Sequence, residues 1–114
     1  MKQLFAIASK MYRGVLPVRS AHYLGYVRSF PCIACGTMKR LRQAHHVGPH
    51  GMAQKSSDLD TVPACYKCHA ELHRLGRVRF EMLHGLDFTQ AISDLQLMYV
   101  IRYGRLPGEE ERAA

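Results

Sequence analysis

With 114 residues, 47% of them hydrophobic, but no tryptophan and only four phenylalanines, the chain has room for one domain with a modest core. We therefore expect a bound metal ion to contribute to its stability. No apolar run approaches the roughly 20 residues that cross a bilayer, and the stretch 4–8 is too short for the core of a secretion signal. The composition thus excludes membrane and exported classes, and we expect a cytoplasmic protein whose thiols stay reduced.

The charge of the chain is unevenly distributed. The formal net charge is +7, and the nine lysines and arginines of residues 1–57 are accompanied by no acidic residue. A continuous positive field over half of the chain favours a polyanionic partner, because each neutralised phosphate releases bound counterions.

The first 30 residues mix basic and aromatic side chains without a clear helical or strand period. We predict that residues 1–30 form a basic and aromatic arm or lead-in segment ahead of the main domain. Its aromatic side chains could stack on nucleic-acid bases or pack on the core, and packing is the more common role of such residues.

Two pairs of cysteines, each with the spacing Cys-x-x-Cys, frame the middle of the chain. Cys32 and Cys35 form the first pair, Cys65 and Cys68 form the second, and 29 residues separate the pairs. Zinc prefers a closed tetrahedral shell of four ligands, and each Cys-x-x-Cys turn can supply two of them. The spacing therefore predicts a structural zinc site on these four thiolates.

Two adjacent histidines, His45 and His46, lie between the cysteine pairs. On an extended strand, neighbouring side chains point to opposite faces. One histidine can therefore bind a metal ion while the other acts on a water molecule, which is the division of roles that metal-assisted hydrolysis with a separate base requires. The glycines, prolines and serines between residues 48 and 57 indicate a long loop.

A helix is predicted at the second cysteine pair, from Cys68 to Leu75, with Gly76 as its stop. His69 and His73 are four residues apart, so their side chains should lie on one face of this helix, about 5–6 Å from each other. This spacing fits a single cation.

A second helix is predicted from Phe88 to Arg102, capped by Asp87 and ended by Gly104. Its apolar residues recur at intervals of three and four, which predicts one face turned toward the core. These residues are Ala91, Ile92, Leu95, Met98 and Tyr99. Residues 105–114 are predicted to form a disordered acidic tail.

Together, the cysteine pairs, the adjacent histidines and the cysteine-histidine helix resemble the pattern of the HNH nuclease family over residues 31–76. The resemblance implies an α+β fold, in which residues 31–104 form a small zinc-stapled, treble-clef-like ββα-metal domain with an extra C-terminal helix. It also implies the activity of the family, which is metal-dependent hydrolysis of phosphodiester bonds by a DNA endonuclease.

The resemblance also implies roles for the histidines. In the family, the first residue of the histidine pair binds the catalytic metal, the second is the general base, and the helix supplies further ligands. By this resemblance, His45, His69 and His73 would bind a divalent ion, and His46 would be the base. Three imidazole ligands favour a transition metal, but HNH enzymes are often active with Mg²⁺, so Mg²⁺, Mn²⁺, Zn²⁺ and Ni²⁺ are all candidates for the catalytic ion.

The chain departs from the family pattern at the middle position, where the family has an asparagine and this sequence has Asp60. The family residue orients the loop that supports the base. An aspartate can accept the same hydrogen bonds but cannot donate them, and it could raise the affinity of the base for protons. Asp58 is the rival candidate for this position.

A narrower resemblance is carried by residues 31–35 and by the histidine pair and helix that follow. These resemble phage recombination-enhancement nucleases and related prophage HNH proteins. The resemblance implies a phage or prophage origin, DNA as the partner, and a link to recombination that includes a recombinase filament such as RecA.

Several basic residues near these motifs are candidates to hold flanking phosphates, which would position a strand without reading its sequence. They are Arg40, Arg42, Lys55, Lys67 and Arg74.

Two other functions fit parts of the pattern. The same zinc site with a basic arm could form a non-catalytic nucleic-acid-binding module, although such a module has no need of adjacent histidines. The string Cys65-x-x-Cys68-His69 matches the attachment site of c-type haem. Haem attachment expects export, however, and leaves Cys32 and Cys35 unexplained.

Overall fold

The computed structural model describes residues 17–48 and 56–108. These residues form a two-stranded antiparallel sheet and four helices, which confirms the predicted α+β class. The strands are β1 (Arg42–His46) and β2 (Thr61–Cys65). The helices are α1 (Ala21–Arg28), α2 (Tyr66–Leu75), α3 (Arg77–His84) and α4 (Phe88–Tyr103). Within this described part, no helix has the length and apolar character needed to cross a membrane.

The two strands form an antiparallel hairpin that carries the histidine pair, as the ββα arrangement implied by the resemblance requires. Arg42 lies opposite Cys65 at one end of the ladder, and His46 lies opposite Thr61 at the other. Every residue of β2 is buried, whereas β1 is only partly covered. The pairing therefore puts a cysteine at one end of the hairpin and the adjacent histidines at the other.

The turn that carries the first cysteine pair docks on the far edge of β2. The backbone N–H of Ile33 donates to the carbonyl of Pro63 at 2.8 Å. A proline has no backbone N–H to donate, but its carbonyl can still accept a hydrogen bond from a neighbouring segment. This contact brings Cys32 and Cys35 toward the end of β2, where Cys65 lies.

Helix α2 follows β2 without a loop and starts at Tyr66, two residues before the predicted start. The Sγ atom of Cys65 caps it by accepting a hydrogen bond from the Cys68 N–H at 3.5 Å. The helix ends, as predicted, at Gly76, whose φ of 83° lies in the region that favours glycine.

Helix α3 was not predicted from the sequence. Phe80 is its one fully covered side chain, whereas Val78, Met82 and Leu83 are exposed. The apolar residues of this segment therefore follow no single face, and the usual periodic signal of a helix is missing.

Helix α4 confirms the predicted second helix to within one residue at its end. Asp87 Oδ1 accepts a hydrogen bond from the Gln90 N–H at 3.1 Å, and Gly104 follows the last turn. Leu95 and Tyr99 are buried as expected, but Met98 is 43% exposed, so its assignment to the core face was wrong.

Two clusters of buried side chains form the core. The first joins α1 to α4 and to the residues before β2, and consists of Tyr23, Tyr26, Val27, Leu59, Leu95 and Tyr99. The second joins the hairpin to α2, α3 and the start of α4, and consists of Val47, Val62, Leu72, Phe80 and Phe88. Tyr23 and Tyr26 come from the lead-in segment 1–30, so its described aromatic side chains pack on the core, as expected.

The predicted disordered tail falls partly outside the described residues, which end at 108. Within the described part, Leu106 packs against the first core cluster. The ordered structure therefore extends past residue 105, where the tail was predicted to begin.

Removing the hydroxyl group should affect stability differently at two tyrosines of the first cluster. Tyr26 Oη donates to the Leu95 carbonyl at 2.7 Å, whereas the buried Tyr23 hydroxyl finds no hydrogen-bond partner among the described residues. An unpaired buried hydroxyl costs free energy, and a paired one contributes about 1 kcal/mol. We expect Tyr26→Phe to lower the free energy of unfolding by about 1 kcal/mol and Tyr23→Phe to leave it unchanged or raise it.

Urea denaturation of the two variants beside the unmodified chain measures both effects. A Tyr23→Phe variant that loses more stability than Tyr26→Phe would contradict this account of the cluster.

Candidate metal centres

The four cysteines converge at the junction of β2 and α2. Their Sγ atoms all lie within 4.8 Å of one another, and those of Cys35 and Cys65 are 3.8 Å apart. Four sulfurs each about 2.3 Å from a zinc ion, at the corners of a tetrahedron, would be about 3.8 Å from one another. The cluster can therefore hold a metal such as zinc, as the spacing of the cysteines predicts.

The backbone around the cluster favours ionised sulfurs. Burial by itself would raise the pKa of the Cys32 thiol, but backbone N–H groups, first that of Cys35, lower it to about 6. Burial likewise opposes ionisation of Cys65, yet the Cys68 N–H lowers the pKa of Cys65. Burial, and then the sulfur of Cys65, raise the pKa of Cys68. None of the four cysteines forms a disulfide, so all are available as ligands.

Three histidines form a second cluster between β1 and α2. His69 Nε2 lies 3.0 Å from His45 Nδ1 and 3.0 Å from His73 Nε2. The three nitrogens are close enough to face one cation, since ligands about 2.0 Å from a zinc ion would be about 3.3 Å apart. The structure therefore brings together the three histidines that the resemblance implied as ligands, and they can hold a metal such as zinc.

His69 occupies the middle of this cluster. Burial, and then the nearby His73, lower the pKa of His69, so its neutral form is favoured. The neutral form is the one that binds a metal. The other ring nitrogen, Nδ1, faces the side-chain oxygen Oε1 of Gln43 on β1.

His46, the predicted base, makes a separate contact. Its Nε2 lies 2.8 Å from Oδ1 of Asp58, whose side chain is only 6% exposed. The carboxylate also accepts hydrogen bonds from the Ser20 N–H at 2.8 Å and from Arg19 Nη1 at 3.3 Å. Burial opposes the ionisation of Asp58, but the hydrogen bond from His46, that from Ser20 and the charge of Arg19 lower its pKa.

Because the ionised Asp58 can only accept, His46 must donate through Nε2. In a neutral imidazole, this leaves Nδ1 as the basic nitrogen.

Asp60 is near enough to His46 for the two charges to interact, but its hydrogen-bond partner is a different residue. Its carboxylate is paired with the side chain of Gln96, and burial, the largest influence, raises the pKa of Asp60. Gln96 Nε2 also donates to the neighbouring Leu59 carbonyl at 2.8 Å. Of the two candidates for the middle position, Asp58 therefore makes the hydrogen bond to His46, and Asp60 does not.

An open cleft of about 330 Å³ is lined both by His45 and His73 of the histidine cluster and by His46. Its walls come from β1, from the residues after β1, from α2 and from the start of α3. The lining residues are His45, His46, Val47, Gly48, Leu72, His73, Gly76 and Arg77. A ligand in the cleft would meet both the metal-binding face and His46.

The predicted phosphate-binding residues differ in their surroundings. The guanidinium of Arg42 donates to four backbone carbonyls at 2.7–3.2 Å, and its role is therefore structural. Arg40 Nη1 faces Cys35 Sγ at 4.0 Å. Lys67 and Arg74 are exposed on α2. Lys55 lies outside the described residues.

Sequence reasoning missed three residues near the site. Arg77 lines the cleft, and Arg19 contacts Asp58 although 39 positions separate them, a distance at which no local pattern could reveal the contact. Gln43 lies two residues before His45 on the same strand, so its position on the same face could have been noticed from the period of two.

The chain matches the model of a family described as a protein of unknown function (DUF968) over residues 13–101. The match covers more than half of the chain, and the protein therefore belongs to this family. No curated protein and no solved structure matches the chain. The description of the family names no activity.

The cysteine cluster predicts that Cys65→Ser abolishes the fold. Zinc in comparable sites contributes about 10–16 kcal/mol, which is as much as the whole stability of a small domain, about 5–15 kcal/mol. We expect the variant to lose its bound zinc, measured by elemental analysis, together with its helical far-UV circular dichroism.

Ala70→Ser is the matched control, because it adds a hydroxyl at an exposed position of α2 without removing a ligand. This control should keep its zinc. Normal helicity and melting of Cys65→Ser would show that the cysteine cluster does not stabilise the fold.

Proposed function

We propose that this protein is a metal-dependent endonuclease of the HNH type that hydrolyses phosphodiester bonds in DNA. One observation carries the proposal. The imidazoles of His45, His69 and His73 converge on one point, while His46, the next residue on β1, is held separately by a buried carboxylate and lines the same cleft. A protein that only binds nucleic acid has no need of this second histidine.

The histidine cluster supplies the place for a divalent ion. Imidazole nitrogens suit zinc, nickel and similar transition metals better than magnesium or manganese, so the donor set fits Zn²⁺ or Ni²⁺ most readily. An ion bound there would offer positive charge to phosphate oxygens as negative charge develops in the transition state. The neutral form of His69, favoured by burial, is compatible with that role.

His46 is proposed to activate the attacking water. Asp58 fixes its ring through Nε2, so that Nδ1 can take a proton from a water molecule in the cleft. The water oxygen forms a bond to phosphorus as the bond from phosphorus to the 3′ oxygen breaks. The leaving 3′ oxygen takes a proton from solvent, and the proton that His46 has taken is returned to solvent, so the products are a 5′ phosphate and a 3′ hydroxyl.

The surroundings of the cleft support a polyanionic substrate. Lys67 and Arg74 are exposed on α2, the helix that carries His69 and His73, and Arg77 lines the cleft itself. The guanidinium of Arg77 also bonds to Glu81 at 2.7 Å, which keeps it at the start of α3. We propose these three cations, rather than Arg42, as the contacts to flanking phosphates.

The first test is cleavage of supercoiled plasmid in the presence of Mg²⁺, Mn²⁺, Ni²⁺ or Zn²⁺. We expect His46→Ala to keep its fold and its affinity for DNA but to lose roughly 10²–10⁴-fold in cleavage rate, the usual contribution of a general base. His22→Ala is the control, because His22 lies on α1 and bonds to Tyr99 instead of the cleft residues.

An undiminished rate for His46→Ala would remove the proposed base. DNA binding without cleavage by the unmodified protein, whatever the metal, would instead identify a zinc-containing binding module.

A second test compares the two aspartates. Charged hydrogen bonds contribute about 1.5–3 kcal/mol, so we expect Asp58→Asn to slow cleavage by roughly 10-fold to 100-fold. Asp60→Asn should leave the rate nearly unchanged, because Asp60 bonds to Gln96 and burial already disfavours its charged form.

Both single-turnover rates are measured at saturating DNA, with melting temperatures as a check on folding. A larger loss for Asp60→Asn would return the supporting role to that residue.

A further inference from the structure

Gln43 contacts the outer ring nitrogen of one of the three clustered histidines. It lies on β1 two residues before His45, and its Oε1 is 2.5 Å from Nδ1 of His69. The two residues are 26 positions apart and meet because α2 crosses beside the hairpin. The contact is on the side of the His69 ring opposite to the nitrogen that faces His45 and His73.

The chemistry of imidazole makes this contact consequential. A neutral imidazole carries one proton, and the nitrogen without the proton is the one that can bind a metal. A carbonyl oxygen can only accept, so Oε1 of Gln43 requires the proton to be on Nδ1 of His69. The lone pair is then on Nε2, the nitrogen that points at the other two histidines.

We propose that Gln43 is a positioning residue that sets the tautomer and the ring orientation of His69, and thereby the metal affinity of the histidine cluster. This inference rests on the metal site of the proposed function but not on cleavage. Hydrogen-bond partners of this kind fix the ring of a histidine ligand and increase its basicity, and their loss typically weakens metal binding by about 10–100-fold.

The amide of Gln43 also explains which substitutions should matter. If the amide turned over, its NH₂ group would donate to Nδ1 and move the imidazole proton to Nε2, which would block coordination. Glutamate in its ionised form can only accept, so Gln43→Glu should keep the required tautomer. Leucine has a similar size but no hydrogen-bond acceptor, so in Gln43→Leu the proton of His69 should no longer be held on Nδ1.

The experiment uses the purified protein with zinc in the cysteine cluster and adds Co²⁺ as the probe of the histidine cluster. Visible d–d absorption reports cobalt bound to histidines, and the absence of a thiolate-to-cobalt charge-transfer band shows that the cysteine zinc has not exchanged. We expect Gln43→Leu to weaken Co²⁺ binding by about 10–100-fold and Gln43→Glu to bind as tightly as the unmodified protein or more tightly.

The matched control is Gln90→Leu, the same change at an exposed glutamine of α4 that bonds to Asp94 instead of a histidine. Its cobalt affinity should be unchanged. Long-range ¹H–¹⁵N NMR of the imidazoles, recorded before cobalt is added, shows which nitrogen of His69 carries the proton. A loss of packing alone would not change this tautomer. The spectrum should show the His69 proton on Nδ1 in the unmodified protein and a mixture of tautomers in Gln43→Leu.

The outcomes separate this inference from the proposed function. Unchanged cobalt affinity and an unchanged His69 tautomer in Gln43→Leu would overturn the role of Gln43 and leave the metal site intact. Absence of cobalt binding to the histidines of the unmodified protein would overturn both. If both Gln43→Leu and Gln43→Glu bind Co²⁺ more weakly than the unmodified protein, the effect is one of packing. That result would overturn the proposed role of Gln43.

Discussion

The antiparallel pairing of β1 with β2 is the constraint on which both the cysteine cluster and the histidine cluster depend. It puts Cys65 beside the turn of the first cysteine pair, and it puts His45 and His46 at the opposite end of the ladder. Because side chains alternate along a strand, a slip of one residue would exchange the faces of His45 and His46. The hydrogen bond from the Ile33 N–H to the Pro63 carbonyl opposes such a slip of β2, because a shift by one residue would turn this carbonyl toward β1.

Helix α2 links the cysteine cluster to the histidine cluster. Cys65 caps its first turn and Cys68 lies within that turn, while His69 and His73 follow on the same helix. A metal ion on the cysteines would therefore fix the start of the very helix that presents two of the three histidines to β1. We infer that a structural ion at one end would preorganise the ligand set at the other, since ligand rings need a rigid support to share one cation.

Asp58 connects the His46 side of the cleft to the segment before the first cysteine pair. The Ser20 N–H, at the start of α1, and the Arg19 guanidinium both donate to its carboxylate. The aromatic side chains of α1 in turn pack against α4. The segment that the sequence sets apart from the domain thus supports the residue proposed as the base, through a buried and ionised carboxylate.

The features that depend on short spacings could be predicted from the sequence. The two Cys-x-x-Cys turns, the adjacent histidines of a strand, the histidines four apart on a helix and the cap at Asp87 all follow from the local geometry of turns, strands and helices. The tertiary structure alone decided the contacts between distant positions. It paired His46 with Asp58 rather than Asp60, placed Gln43 against His69, and committed the Arg42 guanidinium to backbone carbonyls. These partners are set by how loops and helices pack on the hairpin, and neither side-chain period nor residue type encodes that packing locally.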